Sequence, residues 1–589
     1  VKWNARTRIF LLVVFFTGVF TLYSVRLIHL QVNRHSEFTA LAAEKNSFRQ
    51  TIHANRGRIL DAAGEVLATD RPTCTIFADG SHIKNPDALA ALAAPFLEID
   101  ERELARKLST EKKYVVIRRG LPEERAIALR KEMERANMRG LYSERSAQRI
   151  YPNGALLGHV LGFLDFEGRG IQGIEMTYQD FLAGEDGFRF IERDRTGREI
   201  VVYRGLEKPA RDGYDVQLTV DMALQAILEE ELENAYREIQ PQSITGVMVN
   251  PKTGEILAIA NRPNFDPNAP GDFPEEAKKN RAIIEMVEPG STFKIVAISA
   301  ALNEKIATPD TKIFCENGSF FYGGKILRDV HGYGVLSLHD ILVKSSNIGC
   351  AKLAMQLGEQ KFYEYVRAFG FGERTGVDLP GEIPGLVHPP HRWSKLSITR
   401  IPMGHEIAVT PLQLVMAHSV IANGGKLMVP QIVKSVRDAN GEEIFRMQPQ
   451  VVRQVITPET AAAVNAALTE VVSPRGTAPL AKVAGFSVAG KTGTAQRVDP
   501  NGGYTPGKYV VSFVGYLPAE DPAFVAAILI DDARNLKVRN YGGLVAAPIF
   551  SRVAERAARY LDIVPPPPAA EPIVASVVPS PTPQRQARR

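Results

Sequence analysis

The run "IFLLVVFFTGVFTLYSV", from Ile9 to Val25, carries no charge. In hydrocarbon every backbone N–H and C=O needs an internal partner, so such a run can leave water only as a helix. Its length sits at the short end of what spans a bilayer; Leu27, Ile28 and Leu30 extend it, and Arg26 can snorkel to the interface. Lys2, Arg6 and Arg8 precede the run, whereas Arg26, Arg34 and Lys45 are spread over a longer flank diluted by Glu37 and Glu44. That asymmetry places the N-terminus inside. The segment "RLIHLQ" after Val25 has no small-x-small cleavage pattern, so the run reads as an uncleaved anchor rather than a signal peptide. No second such run follows, and the remainder is expected to be exported as one body.

The 589 residues suffice for about two to four domains. A net charge of +5 is small for this length, and without a long basic run it does not describe a nucleic-acid binder. Cys74, Cys315 and Cys350 are far apart and odd in number, which excludes a disulfide scaffold and offers no zinc-type spacing. Residues 31–235 read as β-rich with helical inserts. "RGRILDAAGEVLAT" is strand, turn, strand; "ALAALAAPFLEIDERELARKL" is helical; the glycines from Gly158 to Gly187 imply turns and close backbone approaches. "YDVQLTVD" alternates as a strand and "MALQAILEEELENAYREI" follows as an amphipathic helix. A second body spans 236–562. "ITGVMVNPKTGEILAIAN" is a hairpin, and "YVVSFVGYLPAEDPAFVAAILIDD" repeats its logic much later. Strands at both ends with helices between them predict an α+β domain, one antiparallel sheet packed against inner helices. Residues 563–589 are Pro-rich and are expected to form a disordered or extended tail.

Within the second body, "VEPGSTFKIVAISAAL" (Val287 to Leu302) holds a lysine in an otherwise apolar helix. Apolar residues fall on every side of the 3.6-residue period, so the helix should be buried all round. An ammonium buried there needs a partner or loses its proton. Ser291 lies three positions before Lys294, on the same helical face, an arrangement that suits a nucleophile and its base. Ser-x-x-Lys alone is a common accident, so the reading needs partners. "LVKSSNIGCAKLAMQLG" carries Ser345-Ser346-Asn347 before a small-residue helix, where by itself it is a helix cap. "FSVAGKTGTAQRV" carries Lys491-Thr492-Gly493-Thr494 along a strand, where charge, hydroxyls and open backbone suit an anionic peptide end. A P-loop is excluded, because the glycine spacing before the lysine is absent. Ser-x-x-Lys, Ser-x-Asn and Lys-Thr-Gly in this order form a set shared by penicillin-binding proteins and class A β-lactamases.

On these motifs the chain resembles the class B penicillin-binding proteins, the monofunctional peptidoglycan transpeptidases, almost from end to end. The anchor, "RGRILDAAGEVLAT", "YPNGALLGHVLGF" and "GIQGIEMTYQDFLAGEDG" are similar to the family's N-terminal pedestal. "GVMVNPKTGEILAIANRPNFDPN", "EPGSTFK", "SSNIG", "VTPLQ", "KTGTAQ" and "YGGLVAAPIF" resemble its catalytic signatures. The "SSN" form and "GGYTPGKYVVSFVGYLPAEDP" look closest to the division-specific branch, although His405 stands where those enzymes carry tyrosine or glutamine.

The resemblance implies a layout of cytoplasmic N-terminus (1–8), transmembrane anchor (9–30), periplasmic non-catalytic pedestal (31–235), transpeptidase domain of serine β-lactamase-like α+β fold (236–562) and tail (563–589). It implies a single-pass protein of the bacterial inner membrane at the division septum, acting on the D-Ala-D-Ala end of stem peptides with an amine acceptor. Ser291 would be the nucleophile and Lys294, held neutral by burial and a neighbouring positive charge, its base. Ser345 would relay a proton to the leaving amine, and Asn347 would hold Lys294 and the donor amide. Lys491 would supply positive charge, Thr492, Gly493 and Thr494 would bind the substrate carboxylate, and the Ser291 and Thr494 backbone N–H groups would form the oxyanion hole. No metal or organic cofactor is implied. β-Lactams are expected ligands, and a SEDS-family membrane glycosyltransferase and other division proteins are expected partners. An elongation-type transpeptidase, a D,D-carboxypeptidase and a β-lactamase share the motif set. The long non-catalytic first half argues against the β-lactamase, and nothing marks Glu382 in "PGEIPG" as a water-activating glutamate.

Overall fold

A computed structural model describes residues 4–38, 47–109, 111–193, 199–202, 207–499 and 502–565. The tail expected over 563–589 therefore lies, from residue 566 onward, outside the described residues. The uncharged run forms helix α1 (Ala5–Ile28), continued by one π turn at His29–Asn33, with no buried residue in either. Among the described residues it is the one helix long and apolar enough to cross a membrane.

The chain divides into two compact units. The first comprises Val1–Gly57, Asp70–Gln148 and Asp180–Tyr214. Within it, residues Thr73 to Ala78 of the strand Val66–Ala78 pair antiparallel with Val115–Pro122. Leu89, Leu97, Leu104, Ile117 and Leu129 close a core between that sheet and the helices Pro86–Leu97, Glu101–Leu108 and Glu123–Arg135. The single helical segment expected over "ALAALAAPFLEIDERELARKL" is two helices. Glu98 adopts a left-handed φ of 54° after the first. Asp100 caps the second, its carboxylate accepting from the Arg102 and Glu103 N–H groups at 3.0 Å each.

The second unit comprises Arg58–Thr69, Arg149–Gln179 and Asp215–Arg589. Its helices used below are α2 (Met222–Ile239), α3 (Lys294–Asn303), α4 (Asn347–Leu357), α5 (Pro411–Ala422) and α6 (Gly542–Tyr560). Its central strands are β1 (Ser243–Val249), β2 (Ile256–Arg262), β3 (Ala489–Val498), β4 (Tyr504–Leu517) and β5 (Phe524–Asp531). They form one antiparallel sheet in the order β2-β1-β5-β4-β3. β1 and β5 are buried at every residue, so both faces of the sheet need cover. Ile244, Met248, Phe513, Ile528 and Ile530 pack with Leu224, Leu228, Phe550 and Val553 of α2 and α6. The inner helix α5 packs against β1 and β5. β3 is an edge strand, paired on one side only among the described residues, and that edge carries the Lys-Thr-Gly motif.

The domain break expected between residues 235 and 236 falls inside α2. Segments far upstream also belong to the second unit, because Ile59 and Leu60 pair in parallel with Val216 and Gln217, and Asp215–Leu218 pairs with Val433–Arg437. Strand pairing across such sequence distances leaves no local mark. The glycine-rich stretch after Gly158 is three short helices, Gly158–Leu161, Gly173–Thr177 and Gln179–Leu182, joined by turns.

Candidate active site

Pro289 and Gly290 turn the chain into a 3-10 turn, Gly290–Phe293, that runs directly into α3. Ser291 is its second residue and is half-buried. The Thr292 hydroxyl donates to the Pro289 carbonyl at 2.7 Å and ties the turn to itself. From Lys294 to Ala301 every residue of α3 is buried, and Lys294 is 0% exposed.

The Ser291 turn is wedged between two other segments. Gly404 has a φ of +82°, and a Cβ there would lie 2.1 Å from the Gly290 carbonyl oxygen. Its own carbonyl accepts from the Gly290 N–H at 3.1 Å. On the other side, a Cβ on Gly493 would meet the Pro289 carbonyl at 2.8 Å and the Ser512 hydroxyl at 2.3 Å. Glycine at these two positions lets the Lys-Thr-Gly strand and the loop after Met403 close on Ser291.

The Ser-x-Asn motif sits where α4 begins. Ser346 is the cap, its hydroxyl accepting from the Gly349 N–H at 3.0 Å. Ser345 precedes it with a φ of 60°, a left-handed conformation that costs a non-glycine residue roughly 1 kcal/mol or more. That conformation presents both its carbonyl and its hydroxyl to Lys294. The Lys294 ammonium donates to the Ser345 carbonyl at 2.5 Å, the Ser345 hydroxyl at 3.0 Å and Asn347 Oδ1 at 2.8 Å. Lys491, also 0% exposed, donates to the same Ser345 hydroxyl at 3.0 Å. Lys294 and Lys491 thus converge on the Ser345 hydroxyl, and Asn347 holds Lys294 from the side.

Burial lowers the Lys294 pKa from 10.5 to about 8, while Cys350 and Asp329 pull it the other way. Burial, then the charge of Lys294, pushes Lys491 well below its ordinary value. Both amines are pushed toward the neutral form, and because they share one hydroxyl the pair titrates as a unit. With three acceptors and a pKa of about 8, Lys294 is mostly charged at neutral pH and loses its proton within about one further pH unit. Its three recorded bonds all go to the second motif, and none goes to the Ser291 hydroxyl.

Along β3, the Thr492 hydroxyl lies 3.1 Å from that of Thr477 and 3.4 Å from the Lys491 ammonium. The Thr494 hydroxyl accepts from the Gly542 N–H at 3.2 Å, which fixes the rotamer while leaving its own proton free to donate. Thr494 also lies against the Ser291 turn, its backbone nitrogen 3.3 Å from where a Gly290 Cβ would stand.

Three groups escape the sequence reading. Asp329 accepts from the Ser346 hydroxyl and from the Asn347 N–H at the head of α4. Glu288, three residues before Ser291, receives His405 Nδ1 at 3.0 Å and the Tyr504 hydroxyl at 3.1 Å. Burial and that carboxylate push the Tyr504 phenol upward. His418 is fully buried beneath the turn, 3.2 Å from the Thr292 carbonyl, and burial holds its pKa down at about 3. None of these has a spacing that a single sequence would flag. Glu382 is occupied as a loop staple, accepting from the Thr375 N–H at 2.7 Å, the Thr375 hydroxyl at 2.5 Å and the Gly376 N–H at 3.2 Å. Among the described residues no group of His, Cys, Asp and Glu could hold a metal ion.

Comparison with known proteins gives two family matches, the penicillin binding protein transpeptidase domain over residues 244–555 and the penicillin-binding protein dimerisation domain over residues 51–218. Stage V sporulation protein D of Bacillus subtilis is 34% identical, over 93% of this chain and 85% of that protein. Peptidoglycan D,D-transpeptidase FtsI of Escherichia coli is 30% identical, over 88% of this chain and 85% of that protein. Among solved structures, penicillin binding protein 3 of Mycobacterium tuberculosis complexed with aztreonam matches with a TM-score of 0.68 at 28% identity, covering 88% of this chain and 99% of that one.

Proposed function

The chain belongs to the penicillin-binding transpeptidases, in the division-type branch of class B, and from that premise we propose that it cross-links peptidoglycan as a D,D-transpeptidase through an acyl-enzyme on Ser291. The observation that carries the reading is the convergence of Lys294 and Lys491 on the Ser345 hydroxyl, with Asn347 accepting from Lys294.

In this mechanism a stem peptide lies along the free edge of β3 with its terminal carboxylate against Thr492, Thr494 and Lys491. The incoming negative charge favours the ammonium form of Lys491. Lys294 takes the Ser291 proton as Oγ bonds to the penultimate carbonyl carbon, and the oxyanion draws on the Ser291 and Thr494 N–H groups, each donor being worth roughly 3 kcal/mol. The C–N bond to the terminal D-alanine breaks, and the leaving amine receives a proton through Ser345. An amine of a second stem peptide then attacks the ester, forms the cross-link and returns the proton to Ser291.

β-Lactams enter as mimics of the D-Ala-D-Ala end. Glu382, the glutamate singled out in the sequence, is spent on its own loop, which argues against its driving hydrolysis of the ester as in class A β-lactamases. Mixing the protein with penicillin should give one long-lived covalent adduct per chain by intact mass, absent in Ser291→Ala. Rapid return to the free mass with drug turnover would make the protein a β-lactamase and sink the reading.

The anchor helix, with its basic N-terminal flank, supports a single-pass inner-membrane protein with the catalytic unit in the periplasm, and the likeness to FtsI supports a place at the septum. The first compact unit, which holds none of the motifs, is the surface offered to a SEDS-family glycosyltransferase and other division proteins. A fluorescent fusion should concentrate at midcell in dividing cells, and a dispersed lateral pattern would favour the elongation role.

A further inference from the structure

Three segments meet at one carboxylate beside the Ser291 turn, and none of the three motifs supplies it. Glu288 lies in the segment leading into that turn, where Val287 and Val409 exchange backbone hydrogen bonds at 3.0 and 2.9 Å. Its side chain is only 9% exposed. Oε1 accepts from the Glu406 N–H at 2.9 Å. Oε2 receives His405 Nδ1 at 3.0 Å and the Tyr504 hydroxyl at 3.1 Å. The Tyr504 oxygen also lies 3.1 Å from His405 Nδ1, and the two rings meet edge-on with centroids 6.0 Å apart. An ionised carboxylate only accepts, so Nδ1 carries the imidazole proton at this contact and the phenol donates its own. Burial, then the charge of Glu288, pushes the Tyr504 phenol upward, which keeps that proton in place. His405 is tied to the turn by its chain neighbour as well, since the Gly404 carbonyl accepts from the Gly290 N–H at 3.1 Å.

Tyr504 is the first residue of β4 and pairs with Val498 at the far end of β3. The same β3 carries Thr494, whose backbone N–H joins that of Ser291 in the oxyanion hole of the reading above. The two donors stand on different elements, the Ser291 turn and the sheet edge, so their spacing depends on how those elements are held together. Glu288 belongs to the first and is bonded to the second. We propose that Glu288, His405 and Tyr504 are positioning residues of the transpeptidation site, a polar latch that ties the start of β4 to the Ser291 turn and so sets the spacing of the two oxyanion donors. The proposal rests on the transpeptidase reading.

Such a latch acts on the rate of bond formation and not on ligand capture, because Thr492, Thr494 and Lys491 keep their own contacts. The measurement is acylation of the full-length chain in detergent by a fluorescent penicillin, resolved into a plateau rate and a half-saturating concentration, with circular dichroism as the check on folding. Glu288→Gln breaks the hub, and its plateau should fall about 30-fold. His405→Ala removes one donor and should fall about tenfold, whereas His405→Gln, whose amide can donate to Glu288, should return to within about threefold of wild type. Tyr504→Phe removes a single hydroxyl and should fall about fivefold. In every variant the half-saturating concentration should stay within about twofold of wild type. A wild-type plateau in either His405→Ala or Tyr504→Phe overturns the proposal. So does a loss carried by the half-saturating concentration, and so does a His405→Gln plateau as low as that of His405→Ala. Should Glu288→Gln not fold, Tyr504→Phe decides alone by the same criterion. Wild-type labelling that is absent in Ser291→Ala keeps the transpeptidase reading intact whichever way these variants fall.

Discussion

Helices α1 and α3 are both apolar on every side, and they end in opposite environments. α1 has no buried residue over Ala5–Ile28, while α3 is buried from Lys294 through Ala301. Hydrophobic periodicity does not distinguish them, since neither has a polar face. Length does. The 24 residues of α1 rise about 36 Å, enough for a hydrocarbon core of about 30 Å, whereas the 10 residues of α3 rise about 15 Å. Charge completes the distinction. α1 keeps its interior free of charge, with Arg6, Arg8 and Arg26 toward its ends, whereas α3 opens on a lysine whose three donors meet three protein acceptors. A charge inside an apolar helix is tolerable when its partners are already in place, and here the partners are Ser345 and Asn347 of the Ser-x-Asn motif.

The comparison breaks most sharply at Lys294. Lys294→Arg keeps the positive charge but cannot give up its proton near neutral pH, so acylation by penicillin should fall by about 10³-fold in a folded protein. A near-normal labelling rate would mean that α3 is not built around a base. The next largest effect belongs to α1. Val14→Asp places a carboxylate near the middle of the span at a cost of about 3 kcal/mol, so a fraction of the protein that is tightly membrane-bound should become extractable by alkaline washing. Unchanged retention would show that α1 does not sit in lipid. The smallest effect comes from one conservative change made in both helices. Ile298→Val should lower the unfolding free energy by about 1 kcal/mol, because Ile298 is only 1% exposed. Ile9→Val, at a position 61% exposed, should leave that free energy unchanged in the same urea titration. Equal losses at the two sites would erase the contrast between packing against protein and packing against lipid.

What the sequence discloses follows the same division between local and long-range physics. The hairpin of β1 and β2 is legible because alternating apolar residues flank the turn "NPKTGE". α1 and α3 are legible from composition, and Ser291, Lys294, Ser345, Asn347 and Lys491 from motifs that each sit at an element boundary. Asp329 and Gly404 are not legible, because each acts on a motif reached only through the folded chain. The break after Leu97 is hidden because its left-handed residue is Glu98 and not a glycine. The edge of the catalytic unit is hidden for a related reason: Ile59 joins it by pairing with Val216, far along the chain. The proton balance of Lys294 and Lys491 is likewise a property of the pair, since each residue's state depends on the charge of the other.

The central claim is that α3 carries a base whose proton affinity is tuned by burial, and the pH dependence of acylation tests it most directly. Lys294 is brought down from 10.5 to about 8, so below that value the neutral base is the minor form and becomes about tenfold scarcer with each pH unit of acidification. The acylation rate of the wild-type protein by a fluorescent penicillin should therefore climb about tenfold per pH unit up to about pH 8 and level off above it. A rate that is flat across that range, or one that keeps climbing to beyond about pH 10 as an ordinary lysine would require, contradicts the account.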